Sequence, residues 1–367
     1  MVSVSGRVSD TRVEDGEGVR LPSARGPLTE YLFGLLRREA DGGAEDLSRL
    51  VDQIRAHVDA GVDPLAHEDF QLSLWVLYEL HYAGFVDVPD RWEWHAEMLG
   101  LRAILEQIFE SRLRDQTSET VTTMDPGSAD VADALFELVE SFASPPLARF
   151  VQREATNEQV CEFLIHRSVY HLKESDPAAW VIPRLSGRPK VALAELQYDE
   201  FGAGRLARLH SAMFAATLRA CGLDGTYGAY LDQVPGLTLA TTNAMSLFGL
   251  HRRLRGAAVG HLGAFEASSS LPCRRYAAGL RRLGFPEQAA EYFDEHVEAD
   301  AVHEQLALRD ICAGLAQQDP ATLPDIAFGA ATCLHLEALA ASSLLTRWGR
   351  HESSLLPSPW TKEAIGA

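Results

Sequence analysis

Residues 291–304 read EYFDEHVEADAVHE and set His296, Asp300 and His303 at spacings of four and three. In an α-helix these three residues lie within roughly 60° of one another, on one face. Two imidazoles and a carboxylate directed at one point are typical of a non-heme iron or other transition-metal site. A solvated acidic helix with incidental histidines is the simpler interpretation. A complete metal site therefore requires further ligands from the rest of the chain.

Helical periodicity dominates the chain outside this stretch. Apolar residues recur with helical spacing in segments such as EDLSRLVDQIRAHVD, VADALFELVESFA and GRLARLHSAMFAATLRACG, whereas alternating strand patterns and a repeat of fixed period are missing. The sequence predicts an all-α protein, a helical bundle with an N-terminal helical extension. We expect a disordered tail (1–26), the extension (27–115) and the bundle domain (131–350), with a polar loop over 114–130.

Composition indicates which partners to expect. The chain has 367 residues and a formal net charge of −19, which argues against nucleic acid or an anionic membrane surface as a partner. Its five cysteines are scattered without a CxxC pair, which is typical of reduced thiols in the cytoplasm. The first 25 residues show no apolar signal region, and no run of 18 apolar residues occurs. We therefore expect a cytoplasmic protein with no membrane partner.

Carboxylates on otherwise apolar helices are the next candidate ligands. A dinuclear carboxylate site in a bundle needs about six ligands from several helices, rich in glutamate and with histidines completing each metal. Glu266 follows the small and apolar run LRGAAVGHLGAF, where a lone carboxylate has a poor structural explanation. Glu200 and His210 form another pair, in YDEFGAGRLARLH. Gly202 and Gly204 between them should interrupt or kink the helix, as happens where backbone must yield to a ligand or a lid.

Several short blocks in one order resemble the heme-oxygenase-like diiron oxidases and oxygenases, also called iron-containing redox enzymes. The blocks span about residues 162–315 and include HLKESDPAAWVIPRLSGRPK, ELQYDEFGAGR, GTYGAYLDQVPGLTLATTNAMSLFGLHRRL and EHVEADAVHE. They cover close to half of the chain in the same order, which makes the resemblance specific.

The resemblance implies a seven-helix bundle that holds a dinuclear iron site. The ligands that it implies are Glu200, His210, Glu266, His296, Asp300 and His303. One more carboxylate should come from the first core helix. Glu174 in LKESDP is the first choice, and Glu162 in CEFLIHRS is the alternative because it sits deeper within the helix.

The implied cofactor is a pair of non-heme iron ions, with O2 as co-substrate. The family's chemistry suggests oxidation of a small amine- or amino-acid-like metabolite in a biosynthetic pathway, by N-oxygenation or oxidative C–C cleavage. The resemblance also suggests a homodimer. A catalytically silent iron-binding or scaffold protein is the alternative. Heme-oxygenase activity is disfavoured, because heme needs an axial histidine and an apolar slot rather than many inner carboxylates.

Other polar residues are expected to have structural roles. Glu79 and His81 lie in the N-terminal extension, to which the resemblance assigns no ligand. His261 is five residues before Glu266 and should support packing. Glu337 on the last helix should do the same, whereas His171 could hydrogen-bond to a ligand.

Overall fold

The computed structural model describes residues 18–37, 52, 61–123 and 130–357. Within these ranges the regular secondary structure is helical, with no β-strand. The predicted all-α class is therefore confirmed. Residues 1–17 of the predicted tail, and all but one residue of the predicted helix at 45–59, lie outside the described residues.

The helices divide between an N-terminal part and the bundle. The N-terminal helices are α1 (Pro27–Leu36), α2 (Glu68–Glu79) and α3 (Ala96–Thr123). The first bundle helices are α4 (Val131–Ser141), α5 (Leu147–Arg153), α6 (Asn157–His171), α7 (Asp176–Ala179), α8 (Gly187–Glu200) and α9 (His210–Ala220). The remaining helices are α10 (Gly236–Leu250), α11 (Arg255–Arg282), α12 (Gln288–Gln305), α13 (Ala313–Gln318) and α14 (Leu323–Gly349).

Helix α11 lies at the centre of the bundle and packs against α14, α12 and α5. Its contact with α14 is close: a Cβ at Gly260 would lie 2.0 Å from the Ile326 carbonyl oxygen, and one at Gly329 would lie 1.9 Å from that of Ala257. No side chain fits at such distances, so the two backbones touch directly. This contact sets the position of Glu266, six residues beyond Gly260 on α11.

The N-terminal helices share a hydrophobic core with the bundle. Phe70 and Trp75 of α2 belong to the same buried cluster as Leu247 of α10 and Phe328 of α14. Helix α2 packs against α10, and α3 packs against α14. The extension is therefore built into the core rather than attached to its surface.

The predicted disordered tail is wrong for residues 18–26. Val19 and Leu21 are buried in the shared core, the Val19 carbonyl accepts a hydrogen bond from the Val86 amide, and the Leu21 amide donates to Asp87. The prediction followed the polar composition of the segment and overlooked two apolar residues two positions apart. In an extended chain, this spacing directs both side chains to the same side.

The predicted polar loop at 114–130 begins too early, because α3 continues to Thr123. Leu105, Phe109, Leu113 and Thr117 are buried at intervals of four residues. The Thr117 hydroxyl donates to the Leu113 carbonyl at 2.8 Å. A single narrow face therefore holds the helix against its neighbours, while its polar residues face solvent.

One segment of the described chain, Pro320–Gly349, is long and apolar enough to cross a membrane by length and composition alone. It contains α14, and 56% of its apolar window is buried within the protein. Helix α14 packs against α11, α3 and α10, as a core helix of a bundle does. The segment is weak evidence for a membrane span, and the expected absence of a membrane partner stays a prediction.

Candidate metal centre

Six of the seven predicted ligands come together in the interior, at the side of α11 that faces α12. They form two groups. Within each group, the candidate ligand atoms all lie within 4.8 Å of one another. The first group is Glu174, Glu200, His210 and His296, and the second is Glu200, Glu266 and His303. All six side chains are buried. Asp300 lies on α12, but its side chain falls outside the described residues.

A break between α8 and α9 brings Glu200 beside His210. Gly202, Ala203 and Gly204 adopt left-handed backbone angles, with φ of 71°, 52° and 76°. A Cβ at Gly202 would lie 2.5 Å from the backbone nitrogen of Leu209, so only glycine fits there. The predicted interruption of the helix is confirmed. As a result, the last residue of α8 and the first residue of α9 face each other.

Glu200 belongs to both groups because its two oxygens point in different directions. Oε2 lies 3.0 Å from Nδ1 of His210, and Oε1 lies 3.5 Å from Nδ1 of His303. Nδ1 of His303 also lies 3.6 Å from Oε2 of Glu266. The Ser175 hydroxyl donates to Oε2 of Glu200 at 3.0 Å. A carboxylate placed in this way can bridge two cations, one on each side.

Glu174 lies in the turn that follows α6, rather than within a helix. Its Oε1 lies 3.6 Å from Nε2 of His296. Nδ1 of His296 lies 2.8 Å from the carbonyl oxygen of Tyr292. Since a carbonyl can only accept, Nδ1 carries a proton, and Nε2 is the ring nitrogen that faces Glu174 and the centre.

Electrostatics in the centre favour a bound cation. Burial raises the pKa of Glu266. Burial also opposes ionisation of Glu174, but the imidazoles of His296 and His171 outweigh it and lower the pKa of Glu174. Burial likewise disfavours a charged His303, yet Glu266 and Glu200 overcome this and raise the pKa of His303 to about 9. The carboxylates thus stabilise positive charge at this point in the interior.

The donor set fits iron. Nδ1 of His210 and Nδ1 of His303 are buried without a well-aligned hydrogen bond, although each faces carboxylate oxygens. Buried polar atoms normally have a partner, so these two nitrogens are placed for a ligand such as a cation, which would replace their protons. Imidazole and carboxylate are the donors that non-heme iron prefers.

The alternative carboxylate, Glu162, has other partners. Its Oε2 accepts hydrogen bonds from the indole of Trp348 at 2.7 Å and from the amide and hydroxyl of Ser354 at 2.8 and 2.7 Å. It therefore ties α6 to the chain around the end of α14. Of the two carboxylates that the sequence left open, Glu174 is the one that lies with the other candidate ligands.

Three residues that the sequence analysis did not single out support these ligands. The Tyr292 hydroxyl donates to both oxygens of Glu174, and the Ser175 hydroxyl donates to Glu200. Asp199, which is half-exposed, lies 3.4 Å from Nε2 of His303. Two of the three adjoin a predicted ligand in sequence. The third, Tyr292, lies one helical turn before His296, and this spacing was the available signal.

The backbone around the centre has two unusual conformations. Ser175 adopts a left-handed conformation with φ of 70°, which is uncommon for a residue other than glycine. Beyond His303, the chain continues as a π-helix over Leu306–Cys312. Strained residues and π-helical segments are both frequent at functional sites.

Glu79 of the N-terminal extension does not touch a candidate ligand, but it holds the segment that carries one. Its carboxylate forms a buried ion pair with Lys173 at 2.9 Å and accepts a hydrogen bond from Tyr227 at 2.7 Å. The Lys173 ammonium also lies 4.3 Å from the ring centroid of Tyr82. Because Lys173 precedes Glu174, α2 helps to position the turn that presents Glu174.

Residues 161–338 match the model of the iron-containing redox enzyme family. The matched stretch is just under half of the chain. It confirms the predicted resemblance to this family and supports an iron-dependent oxidoreductase with an all-α fold. Over 231 residues it is 24% identical to the nitrosourea synthase of Streptomyces achromogenes subsp. streptozoticus. The match covers 62% of this chain and 49% of that protein, so the chain spans about half the length of this curated relative.

Proposed function

We propose that the protein binds two iron ions and uses O2 to oxidise a small amine- or amino-acid-like metabolite. The observation that carries the proposal is the position of Glu200, which faces His210 through one oxygen and His303 through the other. Four further ligands, the predicted Asp300 included, would complete two adjacent positions. Ferrous iron bound there would supply electrons for the reduction of O2.

The surrounding residues would perform three tasks. Glu174, His210 and His296 would hold one ion, and Glu266 and His303 the other, with Glu200 between them. Hydrogen bonds from tyrosine and serine hydroxyls would fix the carboxylate orientations. The Tyr292 ring packs against His210 and His296, and Phe214 and Phe293 pack against Tyr292, so these aromatic side chains would exclude bulk water from the first group.

The matching relative supports oxidation of nitrogen. By its name, that protein makes a nitrosourea, a urea that carries a nitroso group on nitrogen. At 24% identity this supports a nitrogen-bearing substrate for the present chain without identifying the compound. N-oxygenation and oxidative C–C cleavage are therefore the two reaction types to test first.

The test is anaerobic loading of the full chain with ferrous iron, followed by exposure to O2 with a panel of amines and amino acids. We expect about two irons per chain and O2 consumption that depends on iron. His210→Ala and His303→Ala should each lose about one iron, whereas Glu200→Ala should lose both. His251→Ala is the matched control, because His251 pairs with Glu106 elsewhere in the protein.

Full retention of iron by a His296→Ala/His303→Ala double variant would exclude this site. Normal iron binding without O2 consumption would favour the alternative of an iron-binding scaffold. The homodimer, the cytoplasmic location and the absence of a nucleic-acid partner stay predictions. Size-exclusion chromatography with light scattering tests the first of them.

A further inference from the structure

A cavity of about 150 Å³ lies within the bundle, bordered by α5, α6, α11 and α14. Much of its wall is apolar and includes Phe163, Phe265, Leu334 and Ala341. A cavity of this volume holds a group about the size of a benzene ring. The space is therefore suited to a compact apolar body rather than to a long chain.

A partly buried ion pair forms the polar part of the wall. Arg167 of α6 donates from its two terminal nitrogens to the two oxygens of Glu337 on α14, at 2.9 and 2.7 Å. The pair lies deep in the bundle, yet 22% of the Arg167 side chain and 29% of the Glu337 side chain remain accessible. Both residues line this cavity and a smaller one of about 40 Å³ beside it. Their accessible surface therefore faces these two cavities.

Both charged groups have unused hydrogen-bonding capacity. A guanidinium has five N–H donors, of which two bind Glu337 and one engages Tyr276. A carboxylate has about four acceptor sites, of which Arg167 occupies two. The remaining donors suit a carboxylate, and the remaining acceptors suit an ammonium or guanidinium group. The ion pair carries one positive and one negative charge. A ligand with a single charge would therefore leave either Arg167 or Glu337 without an opposite charge from the ligand.

The cavity lies one side-chain layer from the metal centre. His171 lines it, and the His171 ring lies 5.5 Å from the ring of Tyr292, whose hydroxyl binds Glu174. Phe265, another wall residue, immediately precedes Glu266 on α11. Nδ1 of His171 is buried and has no hydrogen-bond partner among the described residues, so it is available to a molecule in this space.

We propose that this cavity is the substrate pocket and that it selects a compact zwitterion, with a carboxylate against Arg167 and an ammonium or guanidinium group against Glu337. The proposal rests on the proposed function, since it places the substrate of that reaction beside the iron ligands. His171 separates the bound molecule from Glu174 and offers it one further hydrogen bond. The apolar wall holds a side chain of no more than about ring size.

The test compares three probes that share one alkyl chain. L-norleucine carries both charged groups, hexanoate lacks the ammonium group, and pentylamine lacks the carboxylate. Calorimetric titration of the iron-loaded full chain under nitrogen measures binding without any reaction. We expect L-norleucine to bind at least about tenfold more tightly than either single-charge probe, because each charged hydrogen bond contributes about that factor.

Two variants assign the charges. Glu337→Gln should remove the advantage of L-norleucine over hexanoate, and Arg167→Gln should remove its advantage over pentylamine. Because either variant leaves one buried charge unpaired and could fail to fold, Ala341→Leu provides a second test that keeps the pair intact. Because the larger side chain fills the cavity, this variant should weaken the binding of all three probes by about tenfold. Ser342→Leu, at the neighbouring exposed position on α14, is the control.

Equal affinity for the three probes, no binding of any of them, or unchanged binding by Ala341→Leu would each overturn the proposal. These outcomes are independent of O2 consumption. Selective binding of L-norleucine without oxidase activity would leave the pocket in place and contradict the proposed function. Oxidase activity with no selectivity among the probes would support the proposed function and contradict the pocket.

Discussion

The hydroxyl of Tyr292 lies 2.8 and 2.7 Å from the two carboxylate oxygens of Glu174, and the carbonyl of Tyr292 accepts the Nδ1 proton of His296. One residue of α12 thus orients two candidate ligands from different segments. Burial and the Glu174 charge raise the pKa of Tyr292 well above its usual range, so the hydroxyl stays protonated and donates. The arrangement holds the first group of ligands before any metal binds.

Tyr292→Phe should therefore weaken iron binding by about tenfold or more, which is typical for the loss of a hydrogen bond to a ligand. The variant removes the donor to Glu174 while leaving the backbone carbonyl that orients His296. Competition with a chelator under nitrogen measures the affinity. Tyr230→Phe is the matched control, because its hydroxyl accepts the Asp224 amide at an exposed site. Wild-type affinity in Tyr292→Phe would show that the hydroxyl has no such role.

Glutamine substitutions separate the two carboxylates that the sequence left open. Glu174→Gln should lower the iron content, because the amide replaces a charged ligand beside His296. Glu162→Gln should leave the iron content unchanged but lower the free energy of unfolding by about 1–3 kcal/mol, since Trp348 and Ser354 lose a charged acceptor. Metal analysis and urea denaturation of both proteins provide the two readouts. The opposite pattern would make Glu162 the ligand.

Two alanine substitutions test the turn that joins Glu200 to His210. Gly202→Ala should be severe, because its Cβ would lie 2.5 Å from the Leu209 nitrogen in a left-handed residue. Gly204→Ala meets no atom within 4 Å and should cost only the left-handed strain of about 1–2 kcal/mol. Iron content and melting temperature should both fall further in Gly202→Ala. Equal effects would mean that the close approach does not position His210.

The candidate ligand positions on α12 could be predicted because helical geometry alone places residues four and seven apart on one face. His296 and His303 needed no tertiary information to be recognised as neighbours. The break after Glu200 was also predictable, since two glycines in a short polar segment favour positive φ. Glu266 stood out as the lone carboxylate after a run of small residues. Local sequence was sufficient in each of these cases.

Other parts of the centre depend on contacts between distant segments. Tyr292 binds Glu174 across 118 positions, and no local pattern predicts that pair. Glu174 itself lies in a turn, so helical spacing could not distinguish it from Glu162. The sequence did not predict that residues 18–26 are ordered, for a similar reason. Val19 and Leu21 are buried in a core that distant helices supply.

The close contact between α11 and α14 gives a prediction about stability. Gly260→Ala should lower the free energy of unfolding by 3 kcal/mol or more, roughly the upper range for overpacking, because a Cβ would lie 2.0 Å from the Ile326 oxygen. Gly100→Ala on α3 has no atom within 4 Å and should raise it by about 0.5–1 kcal/mol. Urea denaturation checks both. An unchanged free energy of unfolding in Gly260→Ala would show that α11 and α14 can move apart without loss of stability.

Buried neutral histidines predict that the metal-free protein loses stability in mild acid. Burial lowers the pKa of His166 and of His261 from 6.5 to about 4. Between these two pH values the unfolded chain binds a proton at each position and the native protein does not. The free energy of unfolding therefore falls as the pH falls from about 6.5 to about 4, by about 3 kcal/mol per histidine.

His261→Leu should remove one of these two contributions. The ring of His261 packs near Phe248, with 6.1 Å between the ring centroids, so an apolar side chain suits the position. Urea denaturation of metal-free wild type and variant at pH 7, 5.5 and 4.5 measures the difference. We expect the wild type to lose more stability over this range than the variant, by an amount that corresponds to about one proton. If both proteins lose the same amount, His261 is already protonated in the native state or remains accessible to water, and burial is not what sets its pKa.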